Sequence, residues 1–299
     1  MGRLGIMSDL HVDINQFTPK ELLVLTTVLK QQQVTHLHLA GDTANQVIRV
    51  LETVDFIEQQ GIAITFNFGN HELPSITSPK EMEAYPDHRF LNLTTHPLNT
   101  NLVLLGLNGW YDYSFSLETN QQAILASKRR FWYDRLIERH MSDPEVMTHI
   151  LENLTTVLNS LYQEGKEVIL ATHFVPQEQF IHYHTGKYER FNQINAFLGS
   201  QALGELINTS PHVKQVVFGH THRQFESTVI HGTEYTAKPF GYFYEWQLTQ
   251  TFMKSTNLMT QFNPMKVRKL LKTHQPAFNQ FKEQHLAQEF TKKITLIDY

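Results

Sequence analysis

Through the first seventy residues the chain alternates short apolar runs with apolar positions at helical spacing, and each run ends in a polar cluster. Residues 4–8 predict a short buried strand. Thr18-Pro19-Lys20-Glu21 predicts a helix start, because Thr18 can cap, Pro19 suits the first turn and Glu21 closes a capping box. Leu22, Leu25 and Leu29 then share one helical face. Residues 36–40 predict a second strand. Val47, Val50, Leu51, Val54 and Ile57 predict a second helix that Gly61 terminates, and residues 62–66 a third strand. This β-α-β-α-β order predicts a parallel or mostly parallel sheet.

The pattern loosens afterwards. Residues 73–100, rich in Pro, Thr, Ser and Asn, predict irregular connection, and 102–107 a strand that ends at an Asn108-Gly109 turn. An aromatic cluster follows (Trp110, Tyr111, Tyr113, Phe115), then helical character over 119–140. Ser142-Asp143-Pro144-Glu145 is a second capping box, opening a helix to about residue 165. Strands are predicted at 167–171, 213–218, 227–230, 234–238 and 243–248, with a surface excursion at 177–200 and a short helix at 201–208. From about 265 the chain is helical and rich in Lys and Arg, and it closes on an edge strand at 294–297. The expected organisation is one α/β domain over 1–250, with a helical insert at about 115–165 and a basic helical extension over 251–299 packed on the same domain.

Composition narrows the function. The 299 residues carry a formal net charge of -4, 41% hydrophobic and 18% charged residues, so neither a polyanion nor an anionic membrane is attracted in bulk. The absence of cysteine removes disulfides, thiolate zinc sites and thiol nucleophiles. No signal-like amino terminus or membrane-length apolar run is seen, and a cytoplasmic location is the expectation.

The polar clusters at the strand ends are Asp9 with His11, Asp42, Asn70 with His71, His173, and His220 with His222. Carboxylate, imidazole and amide oxygen suit hard or borderline cations. Two cations about 3.5–4 Å apart need a bridging carboxylate and balanced ligands on each side, and Asp42 is the natural bridge. Taken singly, each of these residues is more often a cap or a core hydrogen bonder. Five clusters in order, each after a strand, are another matter.

Asp9-x-His11, Gly41-Asp42-x-x-Asn45, Gly69-Asn70-His71-Glu72, His173 and Gly219-His220-x-His222 together resemble the five blocks of the calcineurin-like metallophosphoesterases, in order and spacing. The resemblance implies a four-layer α/β/β/α sandwich with a dimetal site on the rim of its sheets. It places Asp9, His11, Asp42 and His222 on one metal and Asp42, Asn70, His173 and His220 on the other. His71 would not bind metal but would assist the leaving group or steady the phosphoryl oxygens, and Glu72 would orient a ligand. Two divalent or trivalent ions are implied. The ligand types admit Mn, Fe, Zn, Ni or Co, with Mn, Fe and Zn foremost. The expected chemistry is attack on a phosphate mono- or diester by a hydroxide held between the metals, in line with the leaving oxygen. The sequence departs from the family at Asn45, where many members have Asp. It also has Phe174-Val175-Pro176 after His173 rather than a second histidine, so cyclic-nucleotide activity is not expected.

A small phosphate-ester substrate is the expected partner. A catalytically weak metal-binding scaffold and a nuclease are the alternatives, the latter kept open by the seven basic against three acidic residues of 264–299. His36 and His38 are expected to be satisfied structural residues. His182, His184 and Arg223 are candidate substrate contacts, though an exposed salt bridge suits Arg223 equally well. Trp110, Tyr111 and Tyr113 could wall a pocket, with a core role favoured for Trp110.

Overall fold

The computed structural model describes residues 2–299. The first repeat runs β1 (Arg3–Met7), α1 (Pro19–Gln31), β2 (His36–Ala40), α2 (Val47–Gln59) and β3 (Ala63–Asn67), as the periodicity predicts. The capping box at the start of α1 forms, with the Thr18 main-chain N–H donating to Glu21 Oε2 at 3.0 Å. After it come α3 (Pro79–Glu83), β4 (Thr94–Pro97), β5 (Leu102–Leu107), α4 (Gln121–Phe131), α5 (Asp143–Gln163), β6 (Glu167–Thr172), α6 (Gln201–Asn208), β7 (Val213–Val217), β8 (Phe225–Ile230) and β9 (Thr233–Ala237). Three helices, α7 (Gln247–Ser255), α8 (Pro264–Thr273) and α9 (Gln275–Lys293), lead to β10 (Thr295–Asp298).

These strands make two sheets, ordered β10-β1-β2-β3 and β4-β5-β6-β7-β9-β8. β1, β2 and β3 are parallel to one another, as are β5, β6, β7 and β9, while β10, β4 and β8 run antiparallel at edges. Strand alternation divides the core. Leu4, Ile6 and Ala40 of the first sheet meet Leu104, Ile169, Ala171 and Val217 of the second in one buried cluster. Met7, Leu37 and Leu39 point the other way, into the cluster that holds the helices. Two sheets face to face with helices outside are the expected α/β/β/α sandwich.

Two expectations are corrected. Residues 243–248 are not a strand: Gly241 takes φ +75°, a turn follows in which the Glu245 N–H donates to Tyr242 O at 2.8 Å, and α7 begins at Gln247. The alternating aromatics there imitate a strand, but left-handed Gly241 stops one. Residues 73–100 are more ordered than expected, since they contain α3 and β4.

The extension is bound into the fold. α9 packs on α1 and α7, with Lys282 Nζ donating to Glu21 Oε1 at 2.8 Å. Buried Glu289 accepts from the N–H groups of Gln247 and Leu248 (3.2 and 2.9 Å), satisfying two donors at the start of α7. β10 closes the edge of the first sheet beside β1. Among the described residues, no helix is long and apolar enough to cross a membrane.

Candidate metal centre

Every polar cluster singled out in the sequence lies just past the carboxyl end of a parallel strand: Asp9 and His11 after β1, Asp42 after β2, Asn70 and His71 after β3, His173 after β6, His220 and His222 after β7. The parallel strands bring these ends to one rim, where open α/β sheets bind ligands. The loops turn sharply there. Asp9, His11, Asp42, His220 and His222 all have positive φ, at 58, 43, 53, 69 and 54°. Left-handed backbone is disfavoured for non-glycine residues and gathers at functional sites. The glycines of the motifs make room: a Cβ on Gly69 would collide with Asp42 Oδ1, and one on Gly219 with Asp9 Oδ2.

The side chains converge. Asp9, His11 and His222 bring one donor atom each to within 4.8 Å of one another, and so do Asp42, His173 and His220, and His11, Asp42 and His71. Hydrogen bonds around the rim fix which imidazole nitrogen faces inward. His173 Nδ1 donates to Ala40 O (3.2 Å), His220 Nε2 to Phe197 O (3.1 Å) and His222 Nδ1 to Glu245 Oε2 (2.8 Å). The other nitrogen of each ring therefore turns a lone pair into the centre. There, His222 Nε2 stands 3.0 Å from His11 Nε2, and His220 Nδ1 stands 3.1 Å from His173 Nε2. His173 Nε2 also lies 3.2 Å from both Asp42 Oδ2 and Asn70 Oδ1. Lone pairs facing one another at such distances repel unless positive charge lies between them. Ligands about 2.1 Å from a cation and at right angles around it would stand about 3.0 Å apart. The donor set and its spacing thus fit a pair of cations with Asp42 between the two groups.

Electrostatics agree. Burial alone would hold all four imidazoles neutral, and it pushes His11 well down and His220 to about 3. At His173 burial is overturned chiefly by Asp42, and at His222 by Asp9 and Glu245, which raise these rings to about 9 and about 10. The buried carboxylates demand positive charge at those nitrogens. Asp42, itself buried, is held well below the usual carboxylate range by His173 and His71 against the cost of its burial.

Supporting contacts complete the site. His71 Nδ1 donates to Asn45 Oδ1 at 2.7 Å, its ring stacks on Tyr133 at 4.2 Å and 9°, and Tyr242 Oη lies 3.3 Å from its Nε2. Glu72 touches no ligand side chain. It accepts instead from the N–H groups of Asp42, Ala44 and Gly69 (3.1, 3.0 and 2.9 Å), tying the second loop to the third. Sequence reasoning missed Asp134, Glu245 and Tyr242. Asp134, fully buried, accepts from Asn70 Nδ2 (2.7 Å) and Trp132 Nε1 (2.8 Å), which turns Asn70 Oδ1 toward His173. A single acid in a helical insert carries no motif. Glu245 sat in the segment read as a strand, and Tyr242 immediately before it.

A cavity of about 390 Å³ opens over the cluster, its floor including Asp42 and His71 and one wall formed by Phe131, Trp132 and Tyr133. Trp110 and Tyr111 are fully buried and Tyr113 nearly so, and none of them lines it. His182, His184 and Arg223 do.

Comparison with known proteins bears on the fold and the family. No curated protein sequence matches the chain. Among solved structures, the chain is similar to a phosphopantetheinyl hydrolase from Mycobacterium tuberculosis, at 17% identity and TM-score 0.59 over 81% of this chain and 90% of that one. It is also similar to a dimetal phosphatase from Danio rerio, at 14% identity and TM-score 0.50 over 80% and 87%. At such identities these likenesses speak to the fold alone. The family model described as calcineurin-like phosphoesterase matches residues 2–224, which contain all five strand-end clusters. On that match the chain belongs to the calcineurin-like phosphoesterase family, whose members are metal-dependent hydrolases of phosphoric esters.

Proposed function

We propose that this chain hydrolyses phosphate mono- or diesters with two metal ions drawn from Mn, Fe and Zn. Asp9, His11, Asp42 and His222 would hold one ion, and Asp42, Asn70, His173 and His220 the other. The observation that carries the reading is the inward set of lone pairs about 3 Å apart, with the rings of His173, His220 and His222 each held in place by an outer hydrogen bond. Bound there, two cations supply Lewis acidity toward the phosphoryl oxygens and a hydroxide nucleophile near neutral pH.

The protein's own groups do the rest. Asp42 Oδ1 accepts from the His71 N–H at 2.9 Å, which fixes the carboxylate while its Oδ2 faces His173. Asn45 holds His71 Nδ1–H, and His71 Nε2 and Tyr242 Oη then lie together at the cavity floor, where they meet the phosphoryl oxygens and the departing oxygen. Tyr133, stacked on His71, keeps that ring from turning. No side chain is placed as a covalent nucleophile, and none is needed.

Turnover of bis-p-nitrophenyl phosphate with Mn²⁺ tests the proposal. Wild type should show metal-dependent hydrolysis, and Asp42→Ala should lose both metal loading and turnover. Full turnover by the folded Asp42→Ala protein would refute it. So would metal loading without turnover on a panel of mono- and diesters, which would point to a metal-binding scaffold.

A further inference from the structure

Four consecutive residues after β7, His220 to Arg223, all line the cavity over the metal centre. His220 and His222 turn to its floor, and Arg223 stands at its exposed mouth. Of the nine other arginines, Arg89 pairs with Asp55, Glu58 and Asp87, Arg139 with Glu83, Arg3 with Asp298 and Arg49 with Glu52, while the remaining five pair with no acid among the described residues; of all ten, the one that lines this cavity is Arg223. Among the described residues no acid pairs with its guanidinium, and only its main-chain N–H is bonded, to Thr221 Oγ1 at 3.3 Å. The acids that share the cavity are engaged, Asp42 with the metal cluster and Glu245 with His222 Nδ1 and the Tyr242 N–H.

Two imidazoles stand beside it. The rings of His182 and His184 lie edge to face at 4.5 Å and line the same cavity, and neither ring has a hydrogen-bond partner among the described residues. Their backbone, by contrast, is pinned. The His184 N–H donates to Asn192 Oδ1 at 2.7 Å, Asn192 Nδ2 donates back to His184 O at 2.9 Å, and Asn195 Nδ2 donates to His182 O at 3.3 Å. The cavity therefore has a metal floor, an apolar wall of Phe131, Trp132 and Tyr133, and across from the floor a group of unpartnered N–H donors headed by a fixed positive charge.

From this arrangement we infer that the substrate is a phosphoester bearing a second anionic group, which Arg223 binds at the cavity mouth with His182 and His184 beside it. A guanidinium offers a planar fork matched to phosphate or carboxylate oxygens. A singly anionic ester, with its phosphoryl group on the metals, would leave that fork empty. The inference rests on the phosphoesterase reading but concerns a separate set of residues.

A matched pair of probes tests it. Thymidine 3′-(p-nitrophenyl phosphate) and its 5′-phosphorylated form share leaving group and scissile bond and differ in one phosphate. With the Mn²⁺-loaded protein, kcat/KM should favour the doubly anionic substrate. Arg223→Ala should remove about ten- to a hundredfold from that substrate, mostly in KM, while changing the singly anionic one by about twofold. Arg223→Lys should retain part of the preference, and Arg190→Ala, which removes a nearby charge outside the cavity, should retain all of it. Calorimetric binding of thymidine 3′,5′-bisphosphate against thymidine 3′-phosphate reads the same subsite without turnover. A chain that fails to hydrolyse either ester yet binds the bisphosphate through Arg223 overturns the activity and keeps the subsite. Equal kcat/KM and equal affinity for the two members of each pair in wild type overturn the subsite. So does an Arg223→Ala protein that weakens both members alike.

Discussion

At the residue scale the site depends on which atom each side chain turns inward, and that is set by partners the motifs do not contain. Asn70 illustrates this. Its amide presents Oδ1 to His173 because Nδ2 is held by Asp134 at 2.7 Å. Without that acceptor the amide is free to turn its donor end inward, where it repels a cation. Asp134→Ala should therefore weaken one of the two metal positions by about ten- to a hundredfold, the usual effect of losing an outer partner of a ligand. Metal analysis after dialysis should find the content falling from about two ions per chain toward one, with kcat falling in step. Unchanged content would mean that Asn70 is held by its neighbours alone. All seven ligand candidates were legible in the sequence because each follows a strand within a few residues. Asp134 and Glu245 were not, because an outer partner has no fixed spacing from the group it orients. The left-handed φ values of Asp9, His11, Asp42, His220 and His222 were equally invisible, since nothing in an Asp or His announces a strained backbone.

At the scale of elements, β2 shows how a polar strand can be buried. Leu37 and Leu39 face the helices, while His36 and His38 face the second sheet. Their hydrogen bonds form a chain of fixed direction. Asn67 Nδ2 donates to Phe68 O and Leu107 O, so its Oδ1 must accept from His38 Nε2 at 2.9 Å. His38 Nδ1 then accepts from the Thr65 hydroxyl, whose oxygen accepts from His36 Nε2 at 2.8 Å. Protonating His38 would break this order. Burial pushes His36, whose ring also lies tilted against that of His96, down to about 3 and His38 to about 4, from an ordinary 6.5. Between those values the unfolded chain binds protons that the folded one refuses. The stability these rings allow is complete above pH 6.5 and declines as pH falls toward 4, by about 1.4 kcal/mol per pH unit for each histidine. Urea unfolding at pH 7.5, 6 and 5 should show wild type losing stability faster than His38→Gln, and parallel losses would count against the account. Alternation on one face marked these histidines as structural in the sequence, but the direction of the chain required the partners on β3. The other element misread, 243–248, failed for a related reason. Its period of two was real, yet the turn at Gly241 and the cap that Glu289 provides to α7 come from outside the window. Glu289→Ala should leave one buried and one part-buried donor unmet and lower stability by about 1–3 kcal/mol, read as a shift of the denaturant midpoint at constant slope.

At the scale of the whole molecule, the proposed metal centre joins the two sheets. Asp9, His11, Asp42 and Asn70 come from loops of the first sheet, and His173, His220 and His222 from loops of the second. Between the two sheets lie the small inner cluster, with eight buried apolar residues, and the polar chain around His38. Removing the cations would leave buried Asp9 and Asp42 compensated only by protons taken up at His222 and His173, a weaker tie across the seam between the sheets. The unfolded chain has no matching site, because the proposed ligands are spread from residue 9 to residue 222. Loading therefore stabilises by mass action, by about 2.7 kcal/mol at a hundred times Kd, worth about 5 °C or more in Tm for a chain of this size. Differential scanning calorimetry should show EDTA lowering Tm by about that amount and Mn²⁺ restoring it, with Asp42→Ala insensitive to both. The transition should remain single, since ligands drawn from both sheets couple their unfolding. Two transitions on chelation would mean that the inner cluster holds each sheet independently. A Tm indifferent to metal would mean that the convergence of these side chains is not completed by a cation at all.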